Sequence, residues 1–312
     1  MDLGCKSEFA KLLKVGRTSL YHEYHKQKER DDEDIGKLKT THIKNPRYGV
    51  RRLAIELDWS EDKTRRIRNL ANVEALRRKK RSRHSKDSAE IDSPENKLRD
   101  YWELRNPDSP RDGYSFAVLT KPELNIWAED FTYIGWHGRF LYLAATLRLS
   151  TREVLGWSLG LYHDTDLVCA SLEDALRNNT PPDIAHSDQG PEYLSRKNSN
   201  LCENAGIKMS ASDKGEPWQN GYMERFFNTF KEEMEHKIRN CKTLSEVYEK
   251  IANWIYYYNY ERIHTALKMP PKTYAAKLQS AKLLQDNSKK VPKMNASHSL
   301  RLPQSAYVWL GP

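Results

Sequence analysis

The chain carries only four cysteines in 312 residues, and Cys5, Cys169, Cys202 and Cys241 stand far apart with no C-x-x-C pair among them. Neither a zinc ribbon nor a disulfide scaffold is therefore expected, and a reducing, cytoplasmic compartment fits. His22 and His25 lie near each other, but the next cysteine is Cys169, so a structural zinc site is not expected there. No stretch approaches the roughly 18 uncharged apolar residues that a membrane helix needs. The first residues, MDLGCKSEFAKLL, hold no apolar segment before their lysines, and no signal peptide is expected. With 38 % hydrophobic and 30 % charged residues, and a mean hydropathy of −0.86, the chain reads as polar, soluble and foldable. Its length suits one large domain or two to three ordinary ones.

What is abundant is positive charge, and it is unevenly placed. The whole chain is +9, and residues 1–98 alone hold 25 Lys and Arg against 17 Asp and Glu, a net +8. Such an excess in the first third suggests an anionic partner, most simply nucleic acid; an ordinary solvated basic surface is the plainer alternative.

Residues 1–76 read as a helical DNA-binding region with two helix-turn-helix-like units. Phe9, Leu12, Leu13 and Val15 lead through Gly16 to a short pattern over Thr18 to Tyr24, a helix-turn-helix outline. The acidic run Asp31–Asp34 opens a new segment. Within it Val50, Leu53, Ala54 and Leu57 recur at helical spacing, and Ser60 is placed to cap SEDKTRRIRNLA. Arg51 and Arg52 on the first helix of this second unit, and Arg65, Arg66 and Arg68 on the next, are the candidate DNA contacts. Residues 77–86, RRKKRSRHSK, carry seven basic side chains in ten. Arg77, Arg78, Lys79, Lys80 and Arg81 are suited to track phosphates along a linker, or simply to solvate one. Residues 77–122 read as this basic linker and a connecting segment, its later part broken by Pro107, Pro110, Gly113 and Pro122.

From residue 123 to 278 the texture is that of an α/β domain. Three β-rich runs, NIWAEDFTYIGW, RFLYLAATLRL and EVLGWSLGLY, form a meander with a turn at Gly135–Gly138. A helix over TDLVCASLEDALRNN, a strand DIAHSD, a helix over LSRKNSNLCENAG and a strand IKMSAS follow. A long helix from about Gly221 to His236 and another over LSEVYEKIANWIYYYNYERI close the domain. The order βββαβαβα predicts a mixed sheet flanked by helices. Trp254, Tyr256, Tyr257, Tyr258 and Tyr260 on the last helix suit core and interface better than base stacking. Asn259, Arg262 and His264 are candidates for contacts near the domain's edge. Residues 279–312 read as a polar tail.

Three acids carry the chemistry. Asp130 lies inside the first strand, where alternation puts it on the face opposite Glu129, and a carboxylate amid apolar strand residues is costly unless paired or metal-bound. Asp188 ends the fourth strand, where sites in α/β folds gather. Glu224 falls early in the long helix, with Asn228 and Lys231 on its face. Two adjacent strands and a covering helix can bring three carboxylates to one point. That is the donor set for two Mg²⁺ ions acting on the attacking and leaving oxygens of a phosphodiester, and Lys231 is placed to hold a DNA phosphate beside them.

The blocks W127-A-E-D130-F-T132, H186-S-D188-Q-G190-P-E-Y193 and N220-G-Y-M-E224-R-F-F-N-T-F-K231 resemble the three signature blocks of DDE recombinases, and thirty-five residues separate Asp188 from Glu224, the family's DD(35)E spacing. The chain most resembles the catalytic subunit, OrfB, of insertion sequence three family transposases, relatives of retroviral integrases. YGVRRLAIEL resembles the helix-turn-helix before such cores, and YNYERIHTAL with Met269-Pro270-Pro271 their C-terminal end. The resemblance implies a ribonuclease-H-like core and a metal-dependent transesterase that frees a 3′-OH at transposon ends and joins it to target DNA. Asp130, Asp188 and Glu224 would be ligands to two Mg²⁺ ions, with Mn²⁺ as a substitute and Asp130 bridging both, and Lys231 would contact terminal DNA. His186, Gln189 and Asn220 would shape the site, although His186 reads equally well as a satisfied strand histidine. The partners implied are double-stranded DNA at terminal inverted repeats and at the target, further copies of the chain, and an upstream OrfA product, in a cytoplasmic, nucleoid-associated setting. Two positions depart from the family: Arg148, where many relatives carry Asp, and Gln219, where Asp is frequent. A domesticated DNA-binding regulator and a nuclease that only hydrolyses are the competing readings. Retention of all three acids speaks against the first, and the DNA-binding modules speak against the second.

Overall fold

A computed structural model of the chain describes residues 17–76, 93–104, 114–116, 125–214 and 216–290. The chain divides into two compact units, Met1–Ala275 and Ala276–Pro312.

The N-terminal region departs from the sequence expectation. Instead of a short helix followed by a new segment at Asp31, one helix, α1 (Arg17–Lys44), runs through both. The acidic run is not a break because it is matched across space. Asp31 takes two hydrogen bonds from the Arg66 guanidinium at 2.7 and 2.9 Å, and Asp34 pairs with Lys63 at 2.7 Å. The turn expected at Gly16, and the helix before it, lie outside the described residues. The second unit is as expected: α2 (Val50–Leu57) and α3 (Glu61–Leu70) are joined through Asp58, which takes a left-handed conformation at φ 52°. Ser60 caps α3, its hydroxyl accepting from the Lys63 amide at 3.2 Å. Leu38, Leu53, Ala54 and Ile67 are buried among the three helices.

The segment read from sequence as a connection, residues 77–122, contains a small antiparallel pair, β1 (Trp102–Leu104) and β2 (Tyr114–Phe116). Strands of three residues are too short to carry a readable alternation. The main sheet has five strands: β3 (Ile126–Trp136), β4 (Arg139–Arg148), β5 (Val154–Gly160), β6 (Ile184–Ser187) and β7 (Lys208–Ala211), in the order β5-β4-β3-β6-β7. The first three form an antiparallel meander, and β6 and β7 add in parallel to β3. α4 (Thr165–Arg177) lies between β5 and β6 and α5 (Arg196–Asn204) between β6 and β7, while α6 (Gly221–Arg239) and α7 (Leu244–Tyr260) follow β7. This is a ribonuclease-H-like mixed sheet. On one face Ile126, Ala128 and Ile134 pack under Phe226, Phe230, Met234 and Trp254 of α6 and α7; on the other Trp127 packs with Leu172 and Ala175 of α4 and Cys202 of α5. The last described helix, α8 (Pro271–Lys290), crosses the boundary read at residue 278.

The helical module leans on the core. The Tyr48 hydroxyl accepts from the Ile263 amide at 2.8 Å, the Tyr257 hydroxyl donates to Asn45 Oδ1 at 2.6 Å, and Tyr48, Leu53 and Ile263 form one buried cluster. Trp254 and Tyr258 are core residues, while Tyr256 and Tyr260 are exposed and stacked with centroids 4.6 Å apart. Among the described residues no helix is long and apolar enough to cross a membrane.

Candidate active site

Asp130 sits in the middle of β3 opposite Ala145 of β4, with Oδ1 accepting from the Phe131 amide at 2.8 Å. Glu129 points the other way: it is buried, its Oε1 accepts from the Thr146 hydroxyl at 3.4 Å, and burial pushes it up to about 7. Asp188 follows the last residue of β6, and its Oδ1 accepts from the Gly190 amide at 2.9 Å. A Cβ on residue 190 would stand 2.7 Å from Glu192 Oε2 and 3.0 Å from Asp188 Oδ1, so glycine lets these two carboxylates face each other across the turn. Glu224 lies in the first turn of α6 and is exposed.

Burial pushes Asp130 well above the ordinary carboxylate range. The charges of Asp188 and Glu224 push it the same way, against the Phe131 amide and Lys231. Asp188 is raised as well, by burial first and by the charge of Glu192. All three acids therefore bear on one locale. Among the described residues no three His, Cys, Asp or Glu side chains are close enough to hold one ion together. The donor set is nonetheless the right kind for a hard divalent cation: carboxylate oxygens only, with the charges of Asp188 and Glu224 both opposing ionisation of the buried Asp130.

The supporting residues have distinct places. Lys231 is buried on α6 with Nζ 4.2 Å from the centroid of the Tyr133 ring, while Asn228 is exposed. His186 is fully buried, and both ring nitrogens meet serine hydroxyls of the β7 segment, Ser210 at 2.9 Å and Ser212 at 3.1 Å, which is the satisfied strand histidine. Burial lowers it to about 4. Gln189 donates to the Ser93 hydroxyl at 2.9 Å. Asn220 donates to the Glu129 carbonyl at 3.2 Å.

Of the basic candidates on the helical module, Arg52 is turned inward: its Nε donates to Thr265 Oγ1 at 3.1 Å and its guanidinium lies over the Tyr48 ring. Arg68 donates to the Val73 carbonyl at 2.8 Å. Arg65 bonds Glu61 and Asp62, Arg66 bonds Asp31, and Arg51 stands 3.8 Å from Glu61; all three remain at the surface. Arg77, Arg78, Lys79, Lys80 and Arg81 lie outside the described residues.

At the core's edge Asn259 is buried and exchanges bonds with the Val154 backbone at 3.0 and 2.8 Å, and Arg262 is paired with Glu233 at 3.0 Å. The departures from the family pattern are internally satisfied. Arg148 pairs with Glu153 at 2.9 Å, and the buried Gln219 bonds Asn96, the Asp213 amide and the Asp213 carboxylate, a span a shorter Asp cannot cover. Sequence reasoning missed Glu192 and His163, whose Nδ1 and Oε1 are 2.8 Å apart. Glu192 was visible inside the second signature block; His163, in a loop 29 residues away, gave no local signal.

Residues 122–217 match a family model described as Integrase core domain, and residues 205–271 match a second model of the same description. All three acids fall inside these spans, which sets the chain in the class of integrase-core polynucleotidyl transferases. It is 28 % identical over 234 residues to the putative transposase InsK for insertion sequence element IS150 of Escherichia coli, covering 73 % of this chain and 76 % of that protein. It is 35 % identical over 112 residues to transposase InsF for insertion sequence IS3A of the same organism, covering 35 % and 39 % respectively. These matches are what the resemblance to insertion sequence three family transposases leads one to expect. Among solved structures it is similar to the HTLV-2 integrase catalytic core domain in complex with magnesium, with a TM-score of 0.42, 17 % identity, and coverage of 48 % of this chain and 95 % of that one.

Proposed function

We propose that the chain binds the terminal inverted repeats of a mobile element, cuts there to free a 3′-OH and joins that hydroxyl to target DNA by in-line attack on a phosphodiester. What supports this reading is that Asp130 on β3, Asp188 just after β6 and Glu224 on α6 all fall within the spans that match the Integrase core domain models. They would hold two Mg²⁺ ions, or Mn²⁺ in their place. Such ions, when bound, activate the attacking oxygen and stabilise the leaving one.

The chain's own groups do the rest. The Phe131 and Gly190 amides orient one oxygen each of Asp130 and Asp188. Asn220 ties the base of the Glu224 helix to the strand of Asp130. Lys231, buried beside the acids, supplies a cation toward which a DNA phosphate is drawn, with Asn228 one turn away on the exposed side. Arg51, Arg65 and Arg66 of the helical module, and the basic run 77–81, contact the flanking duplex. Joining two DNA ends calls for at least two copies of the chain, and an OrfA product is a further partner in this nucleoid-associated setting.

A strand-transfer assay with labelled terminal DNA and Mg²⁺ or Mn²⁺ tests the reading. Joined products support it. Cleavage without joining would make the chain a nuclease, and binding without either would make it a regulator.

A further inference from the structure

A concavity of about 460 Å³ is lined by Arg139, Phe140, Tyr142, Leu161, Tyr162 and His163. We propose that it is a stacking site for one or two unpaired bases of the DNA substrate, a proposal that rests on the DNA-processing reading above and deepens it.

Its position is the first argument. Tyr142 pairs with Gly160, the last residue of β5, and with Tyr133 of β3. The concavity therefore opens at the carboxyl end of β5, toward the end of the sheet that carries Asp188 but further along β3 than Asp130. Its rings pack on the face of the sheet opposite the Asp130 side chain and reach Asp188 through His163 and Glu192. Phe131, the residue after Asp130, stacks on His163 with centroids 5.7 Å apart and planes 10° apart. His163 is held by Glu192, whose other oxygen faces Asp188 across Gly190. Tyr142 meets the same His163 ring at 4.9 Å.

The second argument is chemical. Phe140 is 54 % exposed and Tyr162 73 % exposed. Aromatic surface left in water marks a contact rather than a core. The row of rings continues outward: Tyr133 packs edge-on against Phe140 at 5.2 Å, and Lys231 Nζ lies over Tyr133. The lining holds one guanidinium and no carboxylate. Exposed π-faces interleaved with cations, continuous with a site that handles phosphodiesters, are what single-stranded nucleic acid requires. Rings stack on bases of any sequence while Arg139 and Lys231 meet the backbone.

The test uses the full chain, without divalent metal, and two labelled duplexes of the same terminal sequence. One is blunt; the other has a two-nucleotide single-stranded extension containing 2-aminopurine. The extended duplex should bind roughly ten-fold tighter and its fluorescence should be quenched, in line with the strength of base–aromatic stacking. The double variant Phe140→Ala/Tyr162→Ala should lose that preference, keep its affinity for the blunt duplex within two-fold, and melt within a few degrees of the parent because both rings are exposed. Tyr162→Phe, which keeps the π-face, should retain the preference. A wild-type chain with no preference, as expected if another copy of the chain covers this face, overturns the proposal, as does a double variant that keeps the preference. If the chain joins no DNA yet shows the preference and loses it in the variant, the stacking site stands and the transposase reading falls. If joining proceeds and the preference does not respond, only the stacking site falls.

Discussion

The Asn220 side chain donates to the main-chain carbonyl of Glu129 at 3.2 Å, joining the start of the helix that carries Glu224 to the strand residue just before Asp130. Asn220 precedes α6 but makes no capping bond to it; its amide serves the strand instead. Asn220→Asp separates these two uses, because a carboxylate is an excellent cap and cannot donate to a carbonyl. If the strand bond sets the geometry, the variant loses about 1–3 kcal/mol, and DNA joining falls by more than DNA affinity. Thermal melting and a strand-transfer assay on one preparation decide it, since a residue that mattered only as a cap would give a variant at least as stable as the parent.

The surroundings of Asp130 have a measurable consequence without any DNA. Burial first, and the charges of Asp188 and Glu224 with it, disfavour its charged form. Asp188→Asn should raise the melting temperature of metal-free protein, remove the stabilisation that added Mg²⁺ confers on the parent, and abolish joining while leaving DNA affinity within a few-fold. Melting curves with and without Mg²⁺ read the first two effects. An Mg²⁺ shift of unchanged size in the variant would remove Asp188 from the ligand set.

The core was legible because its signals are local and redundant. Three alternating runs separated by a glycine turn made β3, β4 and β5, and an acid past a short apolar strand was enough to put Asp188 at the sheet's carboxyl end. The convergence of Asp130, Asp188 and Glu224 required the signature blocks and their spacing, since no periodicity relates residues so far apart in sequence. The acidic run Asp31–Asp34 misled because a cluster of like charge looks like a break until its partners are known. Those partners, Lys63 and Arg66, are more than twenty residues downstream on α3. Arg52 was read as a DNA contact from its type and its helix; its contact with Thr265 spans 213 residues, and nothing local announces it. His163 was invisible for the same reason.

His186 makes the fold acid-sensitive in a defined window. Burial lowers its ring from the ordinary 6.5 to about 4, so between those values the unfolded chain binds a proton that the folded chain refuses. Stability is therefore full above about pH 6.5 and falls as pH drops toward 4, by about 1.4 kcal/mol per unit for one such group. His264, lowered to about 3 by burial and nearby arginines, adds in the same direction. Urea denaturation at several pH values should show this slope in the parent. His186→Asn should be less stable at pH 7 but shallower between pH 6.5 and 4. An equally steep variant would mean that other groups carry the acid response.

Arg52 and Arg65 are both arginines of the helical module, and the structure predicts opposite phenotypes for them. Arg52 is half-buried against the core, donating to Thr265 and covering Tyr48, whereas Arg65 lies at the surface in ion pairs with Glu61 and Asp62. Exposed pairs of that kind contribute at most about 1 kcal/mol, so Arg65→Ala should leave melting nearly unchanged. As a phosphate contact, however, its loss should weaken binding to all DNA sequences alike and flatten the dependence of affinity on salt by about one charge. Arg52→Ala should do the reverse: it removes a bond that holds the module to the core and should cost about 1–3 kcal/mol, while the salt dependence of DNA binding is unchanged. Salt titrations of affinity alongside melting curves separate the two. An Arg52→Ala protein that melts like the parent but binds DNA with a reduced salt slope would show that the module leaves the core and turns this arginine to the duplex.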